Sequence, residues 1–134
     1  MAFIQVTADI KQPADQVWDA VRDVGAIHTR LCPGFVVNTE LEPDGQARLV
    51  TFATGIQLRE LIVDCSDDLK RLAWAIKAEG VTHHNGVMVI IDLGEGRTRA
   101  EWSADVLPQE VADRFAVLMA QGIAIMKQHM EQTA

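Results

Sequence analysis

The chain of 134 residues carries 19 acidic and 12 basic side chains, a net charge of −7 that repels phosphate backbones and anionic lipid and so argues against nucleic acid and membrane surfaces as partners. Its length suits one domain, 1–134, able to bury a core without staples, and no apolar run approaches the roughly 18 residues of a membrane-inserted span. Tyr is absent and Ser occurs only at Ser66 and Ser103, which removes several common catalytic groups.

In chain order, the opening residues lack the charged start and apolar centre of a secretory signal, so a cytoplasmic location is expected. Ile4, Val6, Ala8 and Ile10 alternate with Gln5, Thr7 and Asp9, the period of two of a half-buried strand. Pro13 then stands where a helix starts, and the stripe Val17, Trp18, Val21 runs out near Gly25. A second short helix is predicted over Ala26 to Leu31, broken by Cys32-Pro33-Gly34. Cys32 and Cys65 have no metal or redox spacing and are expected to be reduced.

From Phe35 the period returns to two, with Phe35, Val37 and Leu41 on one side, until Glu42-Pro43-Asp44-Gly45 makes a turn. Strands are predicted over Ala47 to Ala53 and Ile56 to Cys65, separated by Thr54-Gly55. Ser66-Asp67-Asp68 is turn chemistry, followed by a strand over Arg71 to Lys77. After Glu79-Gly80 come two longer strands, Thr82 to Leu93 and Arg97 to Val106, joined through Gly94-Glu95-Gly96. The last stretch, Pro108 to about Thr133, reads as one amphipathic helix. Its stripe is Ala112, Phe115, Ala116, Met119, Gly122, Ile123, Met126 and Met130.

Consecutive hairpins imply an antiparallel sheet, and helices segregated from the strand run imply an α+β class. A long amphipathic helix needs a concave apolar cover, so the expected architecture is a curved seven-stranded sheet wrapped around it. A sheet bent in this way leaves room for an internal cavity.

The order of elements, together with Ile10-Lys11-Gln12-Pro13-Ala14-Asp15-Gln16-Val17-Trp18, Gly55-Ile56-Gln57-Leu58-Arg59-Glu60-Leu61, His84-Asn85-Gly86 and Thr98-Arg99-Ala100-Glu101-Trp102-Ser103, resembles the START-like (SRPBCC) superfamily with its helix-grip fold. The nearest subgroup in appearance holds polyketide cyclase/dehydrase-like proteins and the abscisic acid receptors. This resemblance implies cavity positions at Glu60, Trp74, His84, Gly86 and Trp102, and a cavity mouth bracketed by Gly55 and Val81-Thr82-His83. Many relatives carry a Trp-His-Pro segment after the second helix, where this chain departs with Leu31-Cys32-Pro33.

Alternation groups Leu58, Glu60 and Ile62 on one face, and Leu72, Trp74 and Ile76 on another. A carboxylate among Leu58, Leu61, Ile62 and Val63 is expensive to bury unless paired or neutralised. Two placements of Glu60 therefore stay open: the convex surface beside Arg59, or the interior to which the resemblance turns it. His83 and His84 point to opposite faces, and parity with Gly86 favours His84 as the inward one. Neither forms a metal set, so no metal and no cofactor is expected. Trp18 reads as plain core, whereas Trp74, Met88 and Trp102 read as core or pocket wall. Gly122 costs roughly 1 kcal/mol in mid-helix, which suggests a close approach or space for a ligand. Phe115, Met119 and Gly122 are expected to form one cavity wall, with Ile123, Met126 and Met130 as core.

The leading expectation is a binding protein for a small hydrophobic or amphipathic metabolite, with Leu58, Glu60, Trp74, His84, Gly86, Met88, Trp102, Phe115, Met119 and Gly122 as ligand positions. The alternatives are a polyketide cyclase, aromatase or dehydratase-type enzyme with Glu60 and His84 as its acid/base pair, and a ligand-gated interaction module. Val87, Val89 and Ile91 on the convex face allow a homodimer.

Overall fold

A computed structural model describes residues 2–132. In chain order they form β1 (Phe3–Ile10), α1 (Ala14–Arg22), a π-helical turn (Ile27–Leu31), β2 (Val36–Leu41), β3 (Ala47–Phe52), β4 (Gln57–Ser66), β5 (Arg71–Ile76), β6 (His83–Gly94), β7 (Arg97–Leu107) and α2 (Gln109–Gln132). The seven strands stand in the order β1-β7-β6-β5-β4-β3-β2, all antiparallel. Each hairpin thus lays its strands side by side, and β1 closes on β7. At the β6–β7 turn Gly94 and Gly96 have φ of 80° and 71°, a left-handed backbone that glycine adopts without steric cost.

Register decides which side chains look inward. Arg48 pairs with Glu60, Ile62 with Trp74, Trp74 with Gly86, Met88 with Trp102, and Trp102 with Val6. Residues paired across a ladder share a face, so these positions line one concave surface. Val87, Val89 and Ile91 lie on the opposite face and are half-buried.

β2 breaks the expected parity. Phe35 and Val36 are both buried, whereas Val37 and Leu41 are 52% and 47% exposed. A bulge between Val36 and Asn38 inserts an extra residue and turns Val37 outward.

The first helix is entered from Pro13, whose carbonyl accepts the amides of Gln16 and Val17. Its buried stripe is Ala14, Val17, Trp18, Ala20 and Val21, and Trp18 Nε1 donates to Asp67 Oδ1 at 2.9 Å, which fixes α1 to the β4–β5 turn. The predicted second helix is a single π turn, closed by the Cys32 amide on the Ile27 carbonyl at 2.8 Å. Such i→i+5 turns are rare and concentrate at functional sites.

Helix α2 is 24 residues long, about 36 Å at 1.5 Å per residue. Its buried face is Val111, Ala112, Met119, Gly122, Ile123, Met126 and Met130, while Phe115 and Ala116 of the predicted stripe are half-buried. The predicted end near Thr133 lies outside the described residues. Lys127 Nζ donates to the Asp9 carbonyl, which anchors the C-terminal half of the helix to β1. The larger core cluster joins the sheet, α1, the π turn and this C-terminal half, and a smaller one surrounds Ala112 and Met119. Trp102 and Phe115 touch both clusters. No helix of the described residues is long and apolar enough to cross a membrane.

Candidate functional site

Between the concave sheet, the π turn and α2 the packing leaves two small chambers, of about 60 and about 30 Å³. They share Phe35, Phe52, Glu60, Trp74 and Trp102 as common walls. Phe35 meets Phe52 edge-on at 5.5 Å, and Trp74 lies 6.3 Å from Trp102 at 52°. Aromatic rings thus make the partition. The larger chamber is completed by Ile27, Leu31, Cys32, Arg48 and Met88 among others, and the smaller by Leu58, Ile76, His84, Phe115, Leu118 and Met119.

Glu60 and Arg48 form the ionic feature of this interior, at 6% and 4% exposure. Arg48 Nε and Nη2 both reach Glu60 Oε1 at 2.8 Å. Arg48 Nη1 donates to the Val24 carbonyl at 3.2 Å, and the guanidinium lies 5.5 Å from the Trp74 ring centroid. A lone carboxylate could not be held here as an ion, and the guanidinium resolves that cost. Sequence reasoning raised the need for a partner and missed which residue supplies it. The signal was present: Arg48 and Glu60 stand equally far from Thr54, so folding the hairpin about that turn pairs them.

His84 is 6% exposed, its ring 5.0 Å from that of Phe115. Its Nδ1 has no hydrogen-bond partner among the described residues. Burial pushes the imidazole down from 6.5 to about 4, so the ring is neutral at pH 7. Cys32 is a free thiol whose Sγ lies 3.7 Å from the Gly122 carbonyl oxygen, and burial pushes it up to about 12. A thiol so disfavoured as a thiolate is not a nucleophile at neutral pH.

Of the positions expected to face a ligand, Leu58, Glu60, Trp74, His84, Met88, Trp102, Phe115 and Met119 line one chamber or both. Gly86 and Gly122 instead make room for the rings. A Cβ on Gly86 would lie 2.6 Å from Trp74 Cε2, and one on Gly122 2.9 Å from both Phe35 Cε2 and Trp102 Cζ3. Met126, expected as core, also borders the larger chamber, whereas Gly55 and Val81-Thr82-His83 border neither. Phe35 and Phe52 were missed as wall residues. Phe52 shares the parity of Arg48 on β3, while the β2 bulge hides the placement of Phe35. Among the described residues no three His, Cys, Asp or Glu side chains are grouped to hold a metal ion.

A curved seven-stranded antiparallel sheet with a long C-terminal helix, and short helical turns after its first strand, defines the START-like helix-grip class. Residues 1–132 match the polyketide cyclase / dehydrase and lipid transport family, and the chain belongs to it. Solved structures share the fold at low identity. A START superfamily protein from Mycobacterium smegmatis is 14% identical at a TM-score of 0.78, over 98% of this chain and 99% of that one. The di-domain ARO/CYC BexL from the BE-7585A biosynthetic pathway is 14% identical at a TM-score of 0.82, over 98% of this chain and 47% of that one. Norcoclaurine synthase from Thalictrum flavum, solved in complex with dopamine and hydroxybenzaldehyde, is 16% identical at a TM-score of 0.73, over 97% and 84%. The comparison with curated proteins finds no match.

Proposed function

We propose that this protein binds a small, uncharged, hydroxyl-bearing apolar metabolite between the sheet and α2. The observation that carries the reading is the polar content of the chambers. Glu60 is already neutralised by Arg48, and His84 Nδ1 stands as an unpaired polar atom in walls that are otherwise mainly apolar. A hydroxyl both donates and accepts, so it satisfies either tautomer of the ring and can also donate to the Glu60 carboxylate that borders the same chamber. An anionic ligand is disfavoured, because the guanidinium is engaged and the imidazole neutral; a buried carboxylate would have no counter-charge. Norcoclaurine synthase, which shares the fold, is solved in complex with dopamine and hydroxybenzaldehyde, and the hydroxyl-bearing rings of those molecules in that protein support the reading.

Size supports the same reading with one condition. A cavity of about 150 Å³ accepts benzene, and neither chamber here reaches that volume. The two spaces joined come to about 90 Å³, so occupancy requires the Phe35–Phe52 and Trp74–Trp102 partition to shift and the walls to move outward around one flat molecule. Native mass spectrometry of the purified protein tests the proposal. A copurified neutral organic molecule, released on denaturation, is the expected result; an interior that stays empty after exposure to hydroxylated aromatics would refute it.

Acid/base catalysis of the polyketide cyclase type is the second reading, favoured by Glu60 and His84 bordering the same smaller chamber. General catalysis works best with a group poised near the working pH. A ring pushed down to about 4 and a carboxylate committed to a guanidinium fit binding better. Turnover lost in both Glu60→Gln and His84→Ala, with folding intact, would reverse that preference.

A further inference from the structure

The segment that joins α1 to β2 has two different sides. Ile27, Leu31 and Cys32 face the larger chamber, whereas Val24, Gly25, Ala26 and Arg30 line an open surface groove of about 420 Å³ together with Asp19 and Leu41. This stretch is therefore the wall between the outside and the interior. Its regular structure is one π turn, and its tie to the buried ion pair is the hydrogen bond from Arg48 Nη1 to the Val24 carbonyl. The loops expected to bracket a mouth, at Gly55 and at Val81-Thr82-His83, border neither chamber.

We propose that Val24–Cys32 is the door through which ligand reaches the chambers, and that Arg48 is its latch. The inference rests on the ligand-binding reading above. Arg48 is a positioning residue: Glu60 holds its guanidinium, and the guanidinium holds the Val24 carbonyl. A ligand hydroxyl that engages Glu60 competes for the carboxylate that fixes the latch, so occupancy and opening are coupled.

The geometry offers a way to lock the door. A Cβ built on Gly25 lies 3.4 Å from the Leu41 Cβ, close to the roughly 3.5–4.5 Å of disulfide-bonded pairs. Gly25→Cys with Leu41→Cys, in a Cys65→Ser background that removes the exposed native thiol, staples the start of the segment to β2. Uptake is followed by stopped-flow fluorescence of N-phenyl-1-naphthylamine, an uncharged aromatic probe. The reduced protein is expected to take up probe at the rate of its Cys65→Ser parent. The oxidised protein is expected to be slowed by about tenfold or more, with reductant restoring the rate. Equal rates in both forms, with the disulfide verified by mass, would overturn the door while leaving ligand binding intact. A parent that binds no probe and no hydroxylated aromatic would sink the binding reading and the door together.

Arg48→Lys provides a second measurement that needs neither staple nor ligand. Lysine keeps the charge opposite Glu60 and lacks the fork that also spans to Val24. The amides to watch are Ala26, Arg30 and Cys32, which donate to the carbonyls of Asp23, Ala26 and Ile27. Their hydrogen exchange is expected to accelerate by about tenfold, the loss of one charge-assisted bond, while β6 and β7 are unchanged. Unaltered exchange at all three amides would overturn the latch.

Discussion

Glu60 is tolerated in this interior because Arg48 faces it across the β3–β4 ladder, and removing one partner strands the other. Arg48→Met is expected to destabilise the fold by about 3–5 kcal/mol, whereas Arg48→Met with Glu60→Leu recovers most of that loss. Chemical denaturation of the two variants checks this, and an equal loss in both would show that the charge is not what matters. His84 makes a separate contribution. Because burial lowers its folded-state value from 6.5 to about 4, the stabilising neutral form is fully present above pH 6.5 and its benefit is lost as pH falls towards 4. The span is worth on the order of 3 kcal/mol. His84→Leu is therefore expected to flatten the fall in stability between pH 6.5 and 4. Carboxylates lowered by ion pairs, such as Asp9 held by Arg99 and Glu42 held by Arg59, make both proteins acid-labile, so the difference between the two curves is what isolates the ring.

At the level of elements, two glycines seat the aromatic partition. Gly86 lies under Trp74, and Gly122 lets Phe35 and Trp102 approach α2. Gly86→Ala is expected to cost about 1–3 kcal/mol through overpacking and to shift tryptophan emission. Gly122→Ala, whose Cβ presses on Phe35 and Trp102, is expected to bind N-phenyl-1-naphthylamine more weakly, and unchanged affinity in a fluorescence titration would count against the aromatic partition. The strands themselves were legible, because alternation such as Ile4, Val6, Ala8 and Ile10 reports a half-buried face directly, and the 3.6-residue stripe does the same for α2. Three features were not. The β2 bulge inserts a residue without any turn signal, so alternation groups Val37 and Leu41 with Phe35 on one side, whereas Phe35 is buried and the other two are exposed. The π turn differs from a short α-helix by one shifted hydrogen bond that no periodicity reveals over five residues. Arg48 reads as an ordinary surface charge until the hairpin register sets it against Glu60. Local pattern thus exposed the elements, and pairing between elements decided the polar chemistry of the site.

For the whole molecule, the sheet must curve to cover a 24-residue helix, and the space left at the centre is divided by rings rather than filled. The Arg48–Glu60 ion pair and the neutral His84 imidazole border this space, and the proposed reading is that it takes an uncharged hydroxyl-bearing ligand among aromatic walls. Titration of 2-naphthol and 2-naphthoate into the protein at pH 7, followed by calorimetry, tests that selection most directly. The expected result is one 2-naphthol bound per chain, with 2-naphthoate weaker by about tenfold or more, since desolvating an unpaired carboxylate costs well over 1.4 kcal/mol. Equal or tighter binding of the naphthoate would contradict the account.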